Sequence, residues 1–136
     1  MLTEEKKKEL ERLNAEKAEK RNAVMERMAV ARSWAEEMEV MYHHFYLNKG
    51  RVTAAFCLDD KRNDFERELV VAFSWCSRRD AFSKKMGRLR ATERLRGGDS
   101  AIWRITLRTD MSMRYQLTKI LRVAATTDPL APKWAL

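Results

Sequence analysis

The chain has few residues that cross-link a small fold or interrupt its helices and strands: it contains two cysteines, two prolines and four glycines in 136 residues. Two cysteines cannot build the disulfide framework of a small secreted domain. Cys57 and Cys76 each lie in an apolar run, which predicts free, buried thiols in a reducing cytosol rather than a disulfide. The only histidines are His43 and His44, and these four residues do not have the spacing of a zinc site.

Long apolar runs and catalytic signatures are missing as well. No stretch approaches the roughly 18 apolar residues of a membrane span, and the N-terminus, MLTEEKKKEL, has no apolar signal-peptide core. We therefore expect a cytoplasmic protein that does not enter a membrane. There is no nucleophile elbow, P-loop or dinucleotide fingerprint. A polar surface turn explains Asp59, Asp60 and Asp64 better than a metal site does. From these observations together we predict no catalytic residue, no metal and no cofactor.

The positive charge of the chain is local. The net charge is +8, yet residues 1–50 carry ten basic and ten acidic side chains and are neutral. Residues 77–122 carry thirteen basic and four acidic side chains. A local excess of this kind concentrates anions, so nucleotide phosphates, DNA, RNA or an acidic protein are candidate ligands. The alternative is a solvated surface that happens to be basic.

Residues 3–47 contain no glycine or proline and read as one long helix that Thr3 can cap. Apolar residues recur by four and three from residue 24 to residue 45, which is typical of a heptad seam. A helix of this length exceeds what a small domain can cover, and this predicts a homo-oligomer built on residues 24–45. The alternative is that the same face packs on the sheet of its own chain. Gly50 is expected to end the helix in a left-handed cap.

The rest of the chain alternates between strand and helix patterns. Residues 51–58 and 68–76 are predicted to be antiparallel strands, and 101–108 a strand with one wet face. Residues 80–96 are predicted to be a basic helix, for which Ser77, Asp80 and Ser83 compete as the cap and Asp80 is favoured. A last helix capped by Asp110 or Ser112 has an apolar face of Met113, Leu117, Ile120, Leu121 and Ala124. We therefore predict an α+β fold: a long N-terminal helix, a small, mostly antiparallel sheet of about three strands, and two further helices. Residues 1–47 would form the arm and oligomerisation segment, and 48–136 the binding domain.

The basic helix is the strongest candidate for a binding site. A strand that runs into the N-terminus of a cation-rich helix is suited to hold an anion, because the first-turn amides and the helix dipole favour negative charge. Phe82, Met86 and Leu89 have the spacing of a core face. A glycine at position 87 is explained either by close packing of the helix or by a ligand near its backbone, and we favour the packing explanation. The predicted ligand-binding residues are Arg79, Phe82, Lys84, Lys85 and Arg88, with Arg104 and Arg108 from the wet face of the last strand.

One segment resembles a known family. The pattern S-x-x-D-x-F-S-x-K-x-G-R-x-x-A-x-x-R-L, which begins at Ser77 and ends at Leu95, is similar to a string in small phage-encoded proteins, the anti-Thoeris sponges that sequester cyclic ADP-ribose signals. The resemblance covers about 20 of the 136 residues. It implies an oligomeric, non-enzymatic phage protein in the cytosol of the host cell. It also implies that Phe82 stacks on a base or ribose and that Arg88 meets phosphate, a role for Phe82 that competes with the core position predicted from spacing.

Two functions follow as hypotheses. The first is a phage-type anti-defence protein that sequesters a phosphate-bearing immune signalling nucleotide of the cyclic type without catalysis. The alternative is an inhibitor of a host nuclease or defence complex, such as an anti-CRISPR, that binds nucleic acid or protein. Binding along a polynucleotide depends steeply on salt, whereas binding of one small nucleotide does not, and this difference separates the two.

Overall fold

The computed structural model describes residues 3–59, 67–98 and 102–135. Within these ranges the chain forms, in order, α1 (Glu4–Glu37), β1 (Met41–Tyr46), β2 (Gly50–Asp59), β3 (Glu68–Ser77), α2 (Lys84–Gly97), β4 (Ile102–Thr106), α3 (Met113–Thr127) and a 3₁₀ turn (Lys133–Ala135). The strands form one antiparallel sheet in the order β1-β2-β3-β4. The α+β prediction is confirmed, and the sheet has four strands rather than about three.

The predicted helix over residues 3–47 is correct at its start and wrong at its end. The Thr3 side chain accepts a hydrogen bond from the Lys6 N–H and caps α1. The helix ends at Glu37, because Glu39 adopts a left-handed conformation (φ 55°) and the Val40 N–H donates back to the Ala35 carbonyl at 2.9 Å. This is a Schellman-type end made without glycine.

Residues 41–46 form the strand that sequence reasoning missed. Tyr and Phe favour strands, and in this segment that preference prevails over an apolar spacing that also fits a helix. The boundary predicted between residues 47 and 48 therefore falls inside a hairpin, where the Leu47 N–H donates to the Gly50 carbonyl at 2.9 Å. Gly50 is no helix cap; it is glycine because a Cβ there would lie 2.5 Å from the Cys76 carbonyl oxygen and would also clash with Trp134.

The sheet is covered on both faces. On one face the core contains Phe56, Phe73 and the buried side of α3, where Leu117, Ile120, Leu121 and Ala124 lie as the sequence predicted. On the other face Ala55, Val70 and Ala72 pack against Ala91 and Leu95 of α2, with Trp34 of α1 beside them. Ser112 rather than Asp110 caps α3. Cys57 and Cys76 are free thiols as predicted; Cys57 is buried, whereas Cys76 is only partly buried.

Most of α1 lies away from this core. Its residues 4–23 are exposed, and Ala31 and Ala35 are its buried residues. The C-terminal part of the predicted seam thus packs on α2 and the sheet of the same chain, which is the second of the two interpretations that the sequence left open. Self-association stays a prediction. Among the described residues, no helix combines the length and apolar character needed to cross a bilayer.

Candidate anion-binding groove

The basic helix begins later than predicted. It starts at Lys84 rather than Asp80, and Ser83 is its cap: the Ser83 side chain accepts a hydrogen bond from the Met86 N–H at 3.3 Å. Asp80 lies in the turn before it and donates its N–H to the Ser77 carbonyl. The helix ends where Gly98 adopts a left-handed conformation, φ 69°. The first turn of the helix therefore begins with two lysines and contains no acidic residue.

Gly87 allows α2 to lie close to the sheet. A Cβ at this position would lie 2.5 Å from the Thr53 Oγ1 on β2. The Thr53 hydroxyl is itself buried and is 2.9 Å from the His44 Nδ1 on β1. The packing interpretation of Gly87 therefore has a direct structural basis.

Phe82 lies just before the helix and is half-buried. Its ring meets the rings of His44 and Tyr46 edge-on, with centroid distances of 5.9 and 6.2 Å. The predicted core position is correct for Leu89, whereas Phe82 and Met86 are only partly covered. Phe82 thus lies at the margin between core and surface.

Much of the motif that carries the family resemblance has a structural role. Ser83 caps the helix, and Gly87, Ala91 and Leu95 are buried against the sheet. Arg94 turns inward and donates to the Phe73 carbonyl at 2.5 Å, and burial lowers its pKa from the usual value. The motif residues that remain at the surface with charge to offer are Asp80, Lys85 and Arg88.

A groove of about 360 Å³ opens between the C-terminal part of α1, the start of β1 and the first half of α2. Three cations line it, Arg32 from α1 and Lys85 and Arg88 from α2, together with Glu36 and Glu39. Its remaining lining is apolar or hydroxyl-bearing: Met28, Ala31, Ala35, Val40, Tyr42, Leu89 and Thr92. The groove therefore joins cations that suit a phosphate to an apolar floor that suits a base.

One hydrogen bond organises the floor of the groove, and a histidine beside it senses nearby positive charge. The Tyr42 hydroxyl is 2.6 Å from the Thr92 Oγ1, which ties β1 to α2 at the floor. Outside it, burial and then the charges of Arg88 and Lys84 lower the pKa of His44 below 6.5. Burial is the larger cause of this lowering, and the smaller part, which comes from Arg88 and Lys84, reflects positive charge at the first turns of α2. An anion in this region would be stabilised by the same positive charge.

The structure brings together only some of the predicted site residues. Lys85 and Arg88 line the groove, and Lys84 is exposed on the same turn. Arg79 is exposed in the connection before α2, where its N–H donates to the Ser77 hydroxyl at 3.2 Å.

The predicted platform on the last strand lies elsewhere. β4 and β1 are opposite edges of the sheet, so Arg104 is remote from β1. Arg104 lies 3.4 Å from carboxylate oxygens of both Asp59 and Glu68. Arg108 pairs with Asp110 at 2.7 Å. These two arginines are neutralised by carboxylates rather than directed at the groove. Of the three aspartates that the sequence places in a polar turn, Asp60 and Asp64 lie outside the described residues.

Sequence reasoning missed the α1 and β1 side of the groove. Arg32 and Glu36 each follow directly after a buried alanine of α1, and a helical wheel centred on those alanines would have placed both at the margin of the packed face. Tyr42 was missed because the sequence pattern of its strand was interpreted as a helix.

Comparison with protein-family models, with curated proteins and with solved structures finds no match for this chain.

Proposed function

We propose that the protein binds a phosphate-bearing nucleotide in the groove between α1 and α2, without catalysis. The observation that carries the proposal is the placement of Arg32, Lys85 and Arg88 around an apolar floor. Cations meet phosphate oxygens through charge-assisted hydrogen bonds, and the floor accepts the face of a base. Glu36 and Glu39, which also line the groove, would accept hydrogen bonds from ribose hydroxyls or amino groups.

The size and position of the groove favour a small ligand. A volume of about 360 Å³ lies in the range of small-molecule pockets, roughly 300 to 1,000 Å³. The three cations come from two different helices, so one anion can bridge α1 and α2. The biological role proposed here, sequestration of a cyclic immune signalling nucleotide by a phage-type anti-defence protein, rests on the resemblance of residues 77–95 to the sponge family.

Calorimetry with cyclic nucleotides and cyclic ADP-ribose isomers tests the proposal. Arg88→Ala should weaken binding at least tenfold, or about 1.4 kcal/mol, because one charge-assisted hydrogen bond is lost. Arg96→Ala is the matched control: Arg96 is an exposed arginine in the last turn of the same helix and does not line the groove. Equal effects of the two variants, or no nucleotide binding tighter than about millimolar, would reject the nucleotide groove.

One observation favours a second candidate, a nucleic-acid-binding inhibitor. Cations are also exposed on the other layer, where Arg114, Lys119 and Arg122 line a second groove of about 310 Å³ along α3. Basic groups on both faces suit a polyanion that wraps the domain better than one small ligand. Under this alternative, affinity for duplex DNA or RNA falls steeply with the logarithm of salt concentration, because several counterions are released.

A further inference from the structure

The outer edge of β1 is an open strand edge. β1 pairs with β2 alone among the described strands, so its other side faces away from the sheet. In an antiparallel pair, alternate residues direct both their backbone groups at the partner strand. Leu47 bonds to Gly50, and the register then directs the backbone groups of Phe45 and His43 at β2. The N–H and C=O groups of Tyr42, His44 and Tyr46 point outward.

Within residues 41–46, which the structure describes throughout, this edge lacks the charges, prolines and bulges that usually prevent strand addition. Native sheets protect their edges with lysine, proline, bulges or very short strands. Residues 41–46 contain no charged residue and no proline, and the register with β2 runs unbroken from Met41 to Tyr46. The opposite edge differs, because β4 carries Arg104 in its centre. Tyr46 is 59% exposed and Met41 is 43% exposed, so side chains beside the edge are open to a partner.

Positive charge surrounds this edge from both layers. Above the sheet, Arg88 and Lys84 act on His44; below it, the charge of Arg114 contributes to lowering the pKa of His43. The Arg51 guanidinium lies 5.0 Å from the centre of the Tyr46 ring. The nearest acidic counterpart in sequence is Glu39, at the Met41 end.

We propose that the outer edge of β1 accepts an extended acidic segment of another protein as an added strand. The main-chain hydrogen bonds of the edge would supply affinity, and the surrounding cations would select glutamate- or aspartate-rich segments. A second copy of this chain is the poorer occupant, because pairing two β1 edges would bring Lys84, Arg88 and Arg114 of both copies together. The inference does not rest on the nucleotide groove.

Fluorescence anisotropy of a labelled eight-residue peptide of alternating threonine and glutamate tests the inference on the full chain. The peptide should bind, and its lysine counterpart should bind at least tenfold more weakly. N-methylation of two adjacent central amides should abolish binding, because it blocks both edges of the peptide. The same two methyl groups on the first two amides should have little effect. Equal binding of both methylated peptides would reject strand addition.

Two protein variants locate the site. Tyr46→Pro removes an outward N–H and leaves the Leu47–Gly50 bond in place, so it should reduce peptide affinity at least fivefold. Tyr46→Thr, which keeps the N–H, is its control. If Tyr46→Pro does not fold, the double variant Lys84→Glu with Arg88→Glu takes its place. It should bind the acidic peptide more weakly and the lysine peptide more tightly than the wild type does. Unchanged affinities in the variants, no binding of the acidic peptide, or a wild-type dimer that the peptide dissociates would each overturn the proposal.

Discussion

Gly87→Ala is the substitution that most directly tests the packing of α2 on the sheet. In an exposed helix interior this change would stabilise the protein by about 1 kcal/mol, because alanine is the better helix former. At this position the new Cβ would lie 2.5 Å from the Thr53 Oγ1 and 3.3 Å from the Thr53 Cβ. Both atoms belong to a β-branched, fully buried residue, so rotation of the side chain cannot relieve the contact cheaply.

The expected magnitude follows from opposing contributions. Overpacking of a core costs about 1–3 kcal/mol, and displacing the Thr53 hydroxyl from the His44 ring costs about 0.5–1.5 kcal/mol. The helix-propensity gain offsets about 1 kcal/mol of this. The sum is a net loss of about 0.5–3.5 kcal/mol in the free energy of unfolding. For a domain of this size that lowers Tm by roughly 2 to 14 °C.

Thermal and urea denaturation measure the effect, with Gly97→Ala as the matched control. Gly97 belongs to the same helix, and a Cβ there would meet nothing within 4 Å, so that variant should be neutral or stabilised by up to about 1 kcal/mol. In a Thr53→Ala background, Gly87→Ala should lose most of its cost because the closest contact is gone. The reasoning would be refuted if, in the wild-type background, Gly87→Ala raised the free energy of unfolding as much as Gly97→Ala does.

Two further predictions concern α1 and His44. Deletion of residues 1–20 should lower Tm by only a few degrees, because residues 3–20 are exposed; a larger loss would mean that the arm packs on something. Because burial, Arg88 and Lys84 lower the folded-state pKa of His44, its contribution to stability is complete above pH 6.5 and is lost as the pH falls through the lowered pKa. In an NMR titration Arg88→Ala should raise the pKa of His44, whereas Arg96→Ala should leave it unchanged.

Sequence patterns predicted the elements whose periodicity is unambiguous. β2, β3 and α3 have long apolar runs or a clear amphipathic face, and each forms nearly where it was expected. The segment 38–47 was misread because its apolar spacing suits a helix and a strand equally well. The left-handed Glu39, rather than any glycine or proline, ends the helix there. A non-glycine residue in that conformation leaves little local signal in the sequence.

The candidate site was predicted in part for a related reason. Lys85 and Arg88 were identified because they lie on a helix whose basic character is visible in the sequence. Arg32 and Tyr42 were missed because their place depends on how α1 and β1 pack against that helix. Arg104 and Arg108 were included because the alternation of residues 101–108 predicts that both lie on the wet face of a strand. Carboxylates that are distant in sequence or follow in the next turn pair with them.

The strand order of the sheet also bears on how the chain folds. β1, β2 and β3 are neighbours in both sequence and space, so the two ladders between them close over short connections, at low entropic cost. β4 joins β3 only after α2 has intervened. We therefore expect the three-strand meander to form the folding nucleus, with docking of α2 and pairing of β4 as later events. An order in which space follows sequence so closely lowers contact order, which favours rapid folding for a sheet protein.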